Sequence, residues 1–130
     1  MAQIGTKGAE LDLLIRQGAT FGPVTSTLTN PDDSPIDLTG AIIRAQIRKT
    51  ASSSIERGCV ISFDIIDAAN GVFQWYLDAQ TTANLHADNE SEDAPASMYV
   101  WDMELEDSIG RILPLIYGKV RVFREVTRGV

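Results

Sequence analysis

Apolar residues recur at every second position in a series of short runs, the period of strands buried on one face. Leu11, Leu13 and Ile15 alternate with Asp12, Leu14 and Arg16, which predicts a first strand ended by Gly18. A Thr/Ser/Val-rich run at 23–29 is a second. Residues 41–49 are a third, with Ile43, Ala45 and Ile47 on one face and Arg44, Gln46 and Arg48 on the other. Residues 60–66 align Ile61, Phe63 and Ile65, and 71–77 align Phe73, Trp75 and Leu77. The strongest alternation lies at 97–106, where Tyr99, Trp101, Met103 and Leu105 oppose Val100, Asp102, Glu104 and Glu106. A seventh strand is expected at 111–117 and, after a break at Gly118, an eighth at 119–126.

The punctuation between these runs agrees with them. Asn30-Pro31-Asp32-Asp33-Ser34-Pro35 is a turn, because proline fixes φ and Asn and Asp side chains bond their own backbone. Asn70-Gly71 marks a tight turn needing positive φ. Asp78 is placed to cap one short helix at 79–85 by accepting from its first free amides. Residues 86–96 form an acidic loop. Residues 1–10 are small and polar and read as a flexible N-terminal arm, ahead of a single domain at 11–128. Evenly spaced alternating strands joined by Gly/Pro/Asn turns predict a β-sandwich or barrel.

The outer face of 97–106 is acidic, whereas those of 41–49 and 119–126 are basic (Arg44, Arg48; Lys119, Arg121). Opposite charges on adjacent strands favour pairing, so the acidic strand should neighbour a basic one. A chain of 130 residues is long enough for one core without disulfides or metal. Its net charge of −7 disfavours nucleic acid as a partner, since phosphate neutralisation needs a basic face. No apolar run is long enough to span a bilayer and the start lacks a signal-peptide layout, which predicts synthesis in the cytoplasm and no membrane partner.

Candidate chemistry changes the picture little. There is one cysteine, Cys59, and one histidine, His86, with no nucleophile elbow at any serine, so neither a catalytic dyad nor a zinc site is indicated. Asp88, Asn89, Glu90, Glu92 and Asp93 offer hard oxygens but fit no EF-hand, and a solvated acidic loop is the simpler account. Asp102 and Glu104 lie about 7 Å apart along one strand face, a separation glycosidases use, yet an acidic stripe opposite arginines explains them better. The sequence therefore predicts no enzyme, catalytic residue, cofactor or metal. The aromatic residues alternate as core positions do, apart from Tyr76 and Phe123, which are expected to face outward.

Several ordered segments together carry a resemblance. These are Arg16-Gln17-Gly18-Ala19-Thr20-Phe21, Ser34-Pro35-Ile36-Asp37-Leu38-Thr39-Gly40-Ala41 and Ile43-Arg44-Ala45-Gln46-Ile47-Arg48. Tyr99-Val100-Trp101-Asp102-Met103-Glu104-Leu105 follows, then Gly118-Lys119-Val120-Arg121-Val122 and Glu125-Val126-Thr127-Arg128. In this order they resemble small structural proteins of tailed bacteriophages, similar to the immunoglobulin-like N-terminal domain of baseplate upper proteins. The resemblance spans about residues 11 to 128. It implies an all-β, immunoglobulin-like β-sandwich of seven or eight antiparallel strands with one short helix. It also implies a virion protein that docks on other tail or baseplate proteins and self-associates around a symmetry axis.

A tail, baseplate or fibre-adaptor subunit is the leading expectation. A capsid cement protein and a carbohydrate- or host-binding module are the alternatives, the last requiring solvent-facing Trp75 and Trp101. Extended termini add to a neighbour's sheet through main-chain hydrogen bonds. Segments 4–14 and 123–130 are read as such arms, with Ile4, Leu14, Tyr76, Phe123 and Val126 as interface candidates.

Overall fold

A computed structural model describes residues 8–55, 58–85 and 96–125. The strands are β1 (Ala9–Glu10), β2 (Leu13–Arg16), β3 (Phe21–Thr27), β4 (Ile42–Arg48), β5 (Cys59–Val60), β6 (Ser62–Asp67), β7 (Val72–Leu77), β8 (Ala96–Glu106) and β9 (Ile112–Phe123). Among the described residues one α-helix, α1 (Ala79–Ala83), follows β7. A six-stranded sheet runs β1-β9-β8-β4-β5, with β2 continuing the line of β1 along β9, and a three-stranded sheet runs β3-β7-β6. The two sheets enclose one core, and the architecture is an all-β, immunoglobulin-like sandwich.

The strongest alternations became the two inner layers. Phe73, Trp75 and Leu77 of β7 are buried against Tyr99, Trp101, Met103 and Leu105 of β8. Trp75 and Trp101 stack across the sandwich with ring centroids 5.3 Å apart. Each large side chain withdrawn from water contributes about 1.5–3 kcal/mol, so this layer dominates the stability. Each indole N–H keeps a partner: Trp75 donates to Ser26 Oγ at 2.9 Å and Trp101 to the Leu11 carbonyl at 2.8 Å. Asp78 caps α1 as expected, accepting from Thr81 N–H at 2.7 Å.

Four expectations are corrected. Gly118 does not break a strand; β9 passes through it, and a β-carbon there would lie 2.1 Å from the Leu11 carbonyl oxygen. The glycine is a point of close approach between two backbones, one use of glycine inside a strand. The run 60–66 is not one strand. β5 pairs with β4 in the larger sheet and β6 with β7 in the smaller, so the chain changes sheets at the buried Ile61. Next, β1 and β2 pair with β9 in parallel, whereas every other pairing is antiparallel.

Finally, the sheet begins inside the expected arm, since Ala9 and Glu10 already pair with Ile116 and Tyr117. Much of segment 4–14 is therefore used within the protein's own sheet. The line of β1 and β2 is interrupted at Leu11 and Asp12. Leu11 turns its carbonyl to the Trp101 indole, and the Asp12 carboxylate accepts from Lys119 N–H at 2.9 Å. The acidic loop at 86–95, with His86 and the oxygen-rich run at 88–93, lies outside the described residues, as does 126–128.

Candidate interaction face

Sheet register decides which exposed side chains become neighbours. On the outer side of the larger sheet, Leu14 of β2, Arg121 of β9 and Met98 of β8 form one row. The next row carries Lys119, Val100 and Arg48, and the one after it Glu10, Tyr117, Asp102, Gln46 and Val60. Glu104 and Arg44 follow, and Ile112, Glu106 and Ile42 close the face. A groove of about 650 Å³ runs along its middle between β1, β9, β8 and β4.

This face is unusual in two ways. Of the ten large apolar side chains exposed among the described residues, five lie here: Leu14, Ile42, Val60, Met98 and Ile112, each between 44% and 59% accessible. Scattered exposed apolar residues need no explanation; these five share one sheet face, two at each end of it and Val60 at its margin. Its charge also differs from that of the whole chain. Arg16, Arg44, Arg48, Lys119 and Arg121 balance Glu10, Asp12, Asp102, Glu104 and Glu106, so the face is neutral on a chain of net charge −7.

Most of the central charges are committed within the face. Arg44 Nε donates to Glu104 Oε1 at 3.2 Å and Nη2 to Glu106 Oε1 at 2.9 Å. The acidic strand thus neighbours a basic one, as the charge pattern predicted. These contacts, Glu106 first and Glu104 second, hold the Arg44 guanidinium above its ordinary pKa. Arg48 grips Gln46 Oε1 at 2.7 Å and the Ser53 carbonyl at 2.7 Å.

The Asp102 carboxylate and the Lys119 ammonium make no hydrogen bond or ion pair with the described residues. Partial burial raises the Asp102 carboxyl above its usual range, Glu104 adds to the rise and Arg48 opposes it. The Asp102–Glu104 pair is thus a perturbed carboxyl beside an ion-paired carboxylate on an open sheet face. Cys59 lies on the opposite, core-facing side of β5, its thiol pushed by burial to about 11 and so protonated at neutral pH. Among the described residues no group of three or more His, Cys, Asp or Glu side chains is placed to hold a metal ion.

A scan against protein-family models finds none that matches this chain. A search of curated proteins returns no match either.

Of the interface candidates read from the sequence, Leu14 and Phe123 are brought together. Leu14 is opposite Arg121, two positions along from Phe123, and the Arg121 guanidinium lies 5.9 Å from the Phe123 ring centroid. Tyr76 is half-buried on the outer side of the smaller sheet, away from both. Ile4 and Val126 lie outside the described residues. Met98, Val60, Ile42 and Ile112 were missed. Each stands at an outward position of its own strand, but only the register places them on one face. Trp75 and Trp101 are both buried, so neither offers the exposed ring that a sugar-stacking module requires.

Sheet edges, the other route to assembly, are blunted. The β3 edge carries Pro23 and a register shift between Phe21 and Val24, and β6 shifts between Ile65 and Asp67. β5 is only two residues long, and the line of β1 and β2 breaks at Leu11 and Asp12. Proline, bulges and short edge strands are the devices that prevent added strands from pairing.

Proposed function

We propose that this protein is a structural subunit of a bacteriophage virion, a tail, baseplate or fibre-adaptor component that acts by docking on other virion proteins without catalysis. The observation that carries the reading is the outer face of the larger sheet, neutral in charge and holding half of the large apolar side chains exposed among the described residues. An immunoglobulin-like sandwich offering such a face has what a docking module needs: a rigid scaffold, apolar anchors and charges fixed in register. The resemblance of the ordered segments to phage baseplate proteins suggests the biological setting. The blunted edges favour docking by a face over docking by a strand.

Immunogold labelling of intact particles, using antibody against the purified chain, tests the assignment. Label on the tail or baseplate supports it. Label confined to the capsid shell makes the cement reading correct, and unlabelled particles remove the virion assignment.

A further inference from the structure

We propose that this chain self-associates through the outer face of the six-stranded sheet, with Lys119 of each copy meeting Asp102 of the other. The inference rests on the docking reading above and adds a second copy of the chain as the occupant of that face in free solution. A protein of net charge −7 repels a second copy of itself, and the repulsion is least where the approaching surface is neutral. The outer face of the larger sheet is such a surface.

Of the charged side chains lining the groove, Lys119, Asp102 and Glu10 make no hydrogen bond or ion pair with the described residues. Lys119 is the cation among them, and Asp102, which feels Arg48 only through space, is the anion on the central strand β8. In register Lys119 faces Val100 while Asp102 faces Tyr117, so the two are diagonal neighbours on β9 and β8. When two copies meet face to face, a two-fold axis between them perpendicular to that diagonal sets each ammonium over the other copy's carboxylate. An isologous contact of this kind is satisfied by one self-complementary patch.

The surrounding side chains suit the same arrangement. Leu14 and Met98 lie beyond one side of the charged centre, Ile42 and Ile112 beyond the other, with Val60 at the margin. Copies apposed in this way bury apolar side chains at both ends while the charges fix the register. The face measures roughly 19 Å across the strands and 34 Å along them, about 650 Å² per copy from standard strand spacings. That is at the low end for a stable dimer, which predicts weak, concentration-dependent association.

Sedimentation equilibrium of the intact chain, up to about 1 mM, decides the matter. The wild type is expected to form a dimer. Lys119→Glu and Asp102→Lys should each weaken it by at least about tenfold, and the double variant should recover to within about threefold of wild type. Thermal melts confirm that each variant is folded. Tyr76→Ser, on the smaller sheet, should leave the equilibrium unchanged.

Single variants without effect, a double variant that does not recover, or loss at Tyr76 in their place overturns the assignment of this face. A wild type that is monomeric throughout removes self-association altogether. A monomer that still binds tails leaves the virion reading standing. Conversely, a dimer rescued by charge exchange but absent from particles leaves the face standing and removes the virion reading.

Discussion

Gly118 is where the two ends of the chain meet, and replacing it tests the packing account most sharply. A β-carbon at this position would stand 2.1 Å from the Leu11 carbonyl oxygen and 2.7 Å from its carbon. Both are backbone atoms, so no side chain can rotate away, and β1 and β2 must move off β9. That movement separates the Leu11 carbonyl from the Trp101 indole, now 2.8 Å away. Overpacking of this kind costs about 1–3 kcal/mol, and a buried donor left unpaired about 1–3 more.

We therefore expect Gly118→Ala to lose about 3 kcal/mol, a large fraction of the stability of a domain this size. Urea unfolding followed by tryptophan fluorescence reads it, since Trp75 and Trp101 are the two tryptophans and they stack in the core. Gly110→Ala is the matched control. No atom lies within 4 Å of its would-be β-carbon, but its φ of +88° leaves a residual strain of about 1–2 kcal/mol. A Gly118→Ala protein within about 0.5 kcal/mol of wild type, or no worse than Gly110→Ala, would refute the close-approach argument.

Two carboxylates carry opposite pH signatures. Asp78 has a lowered pKa through its hydrogen bonds to Thr81, so its contribution is complete above the ordinary value of 3.8 and is lost as pH falls through the lowered one. Asp78→Ala should lower the melting temperature at neutral pH by about 2–4 °C, and the deficit should shrink in acid. Asp102, with its raised pKa, binds its proton more readily when folded, and stability falls as pH rises from 3.8 through that raised value. Asp102→Asn at concentrations where the chain is monomeric should therefore melt higher at pH 7, with the advantage gone below about pH 3.8. Cys59 should react with iodoacetamide at pH 8 at least about tenfold more slowly than a free thiol, and equal rates would contradict its burial.

The buried layers were legible because period-two alternation is strongest where one face of a strand must be dry. Phe73, Trp75 and Leu77, and Tyr99 through Leu105, show this directly. The same alternation reports only that Ile61, Phe63 and Ile65 point one way. It is blind to which sheet receives them, so the crossing at Ile61 was read as a single strand. Gly118 was misread because its reason lies 107 residues away, in the carbonyl of Leu11. The candidate face was hidden for a related reason. Leu14, Ile42, Val60, Met98 and Ile112 are isolated outward residues on five strands and become one surface only through the register. Charge did announce one piece of it, the pairing of Arg44 with Glu104 and Glu106.

Reconstitution tests the proposed docking within the virion. Purified protein would be mixed separately with isolated tails and with empty capsids, then sedimented and quantified. Saturable co-sedimentation with tails is expected, abolished by Leu14→Glu combined with Met98→Glu on the outer face of the larger sheet. Binding to capsids alone, binding to neither, or tail binding indifferent to those substitutions would contradict it.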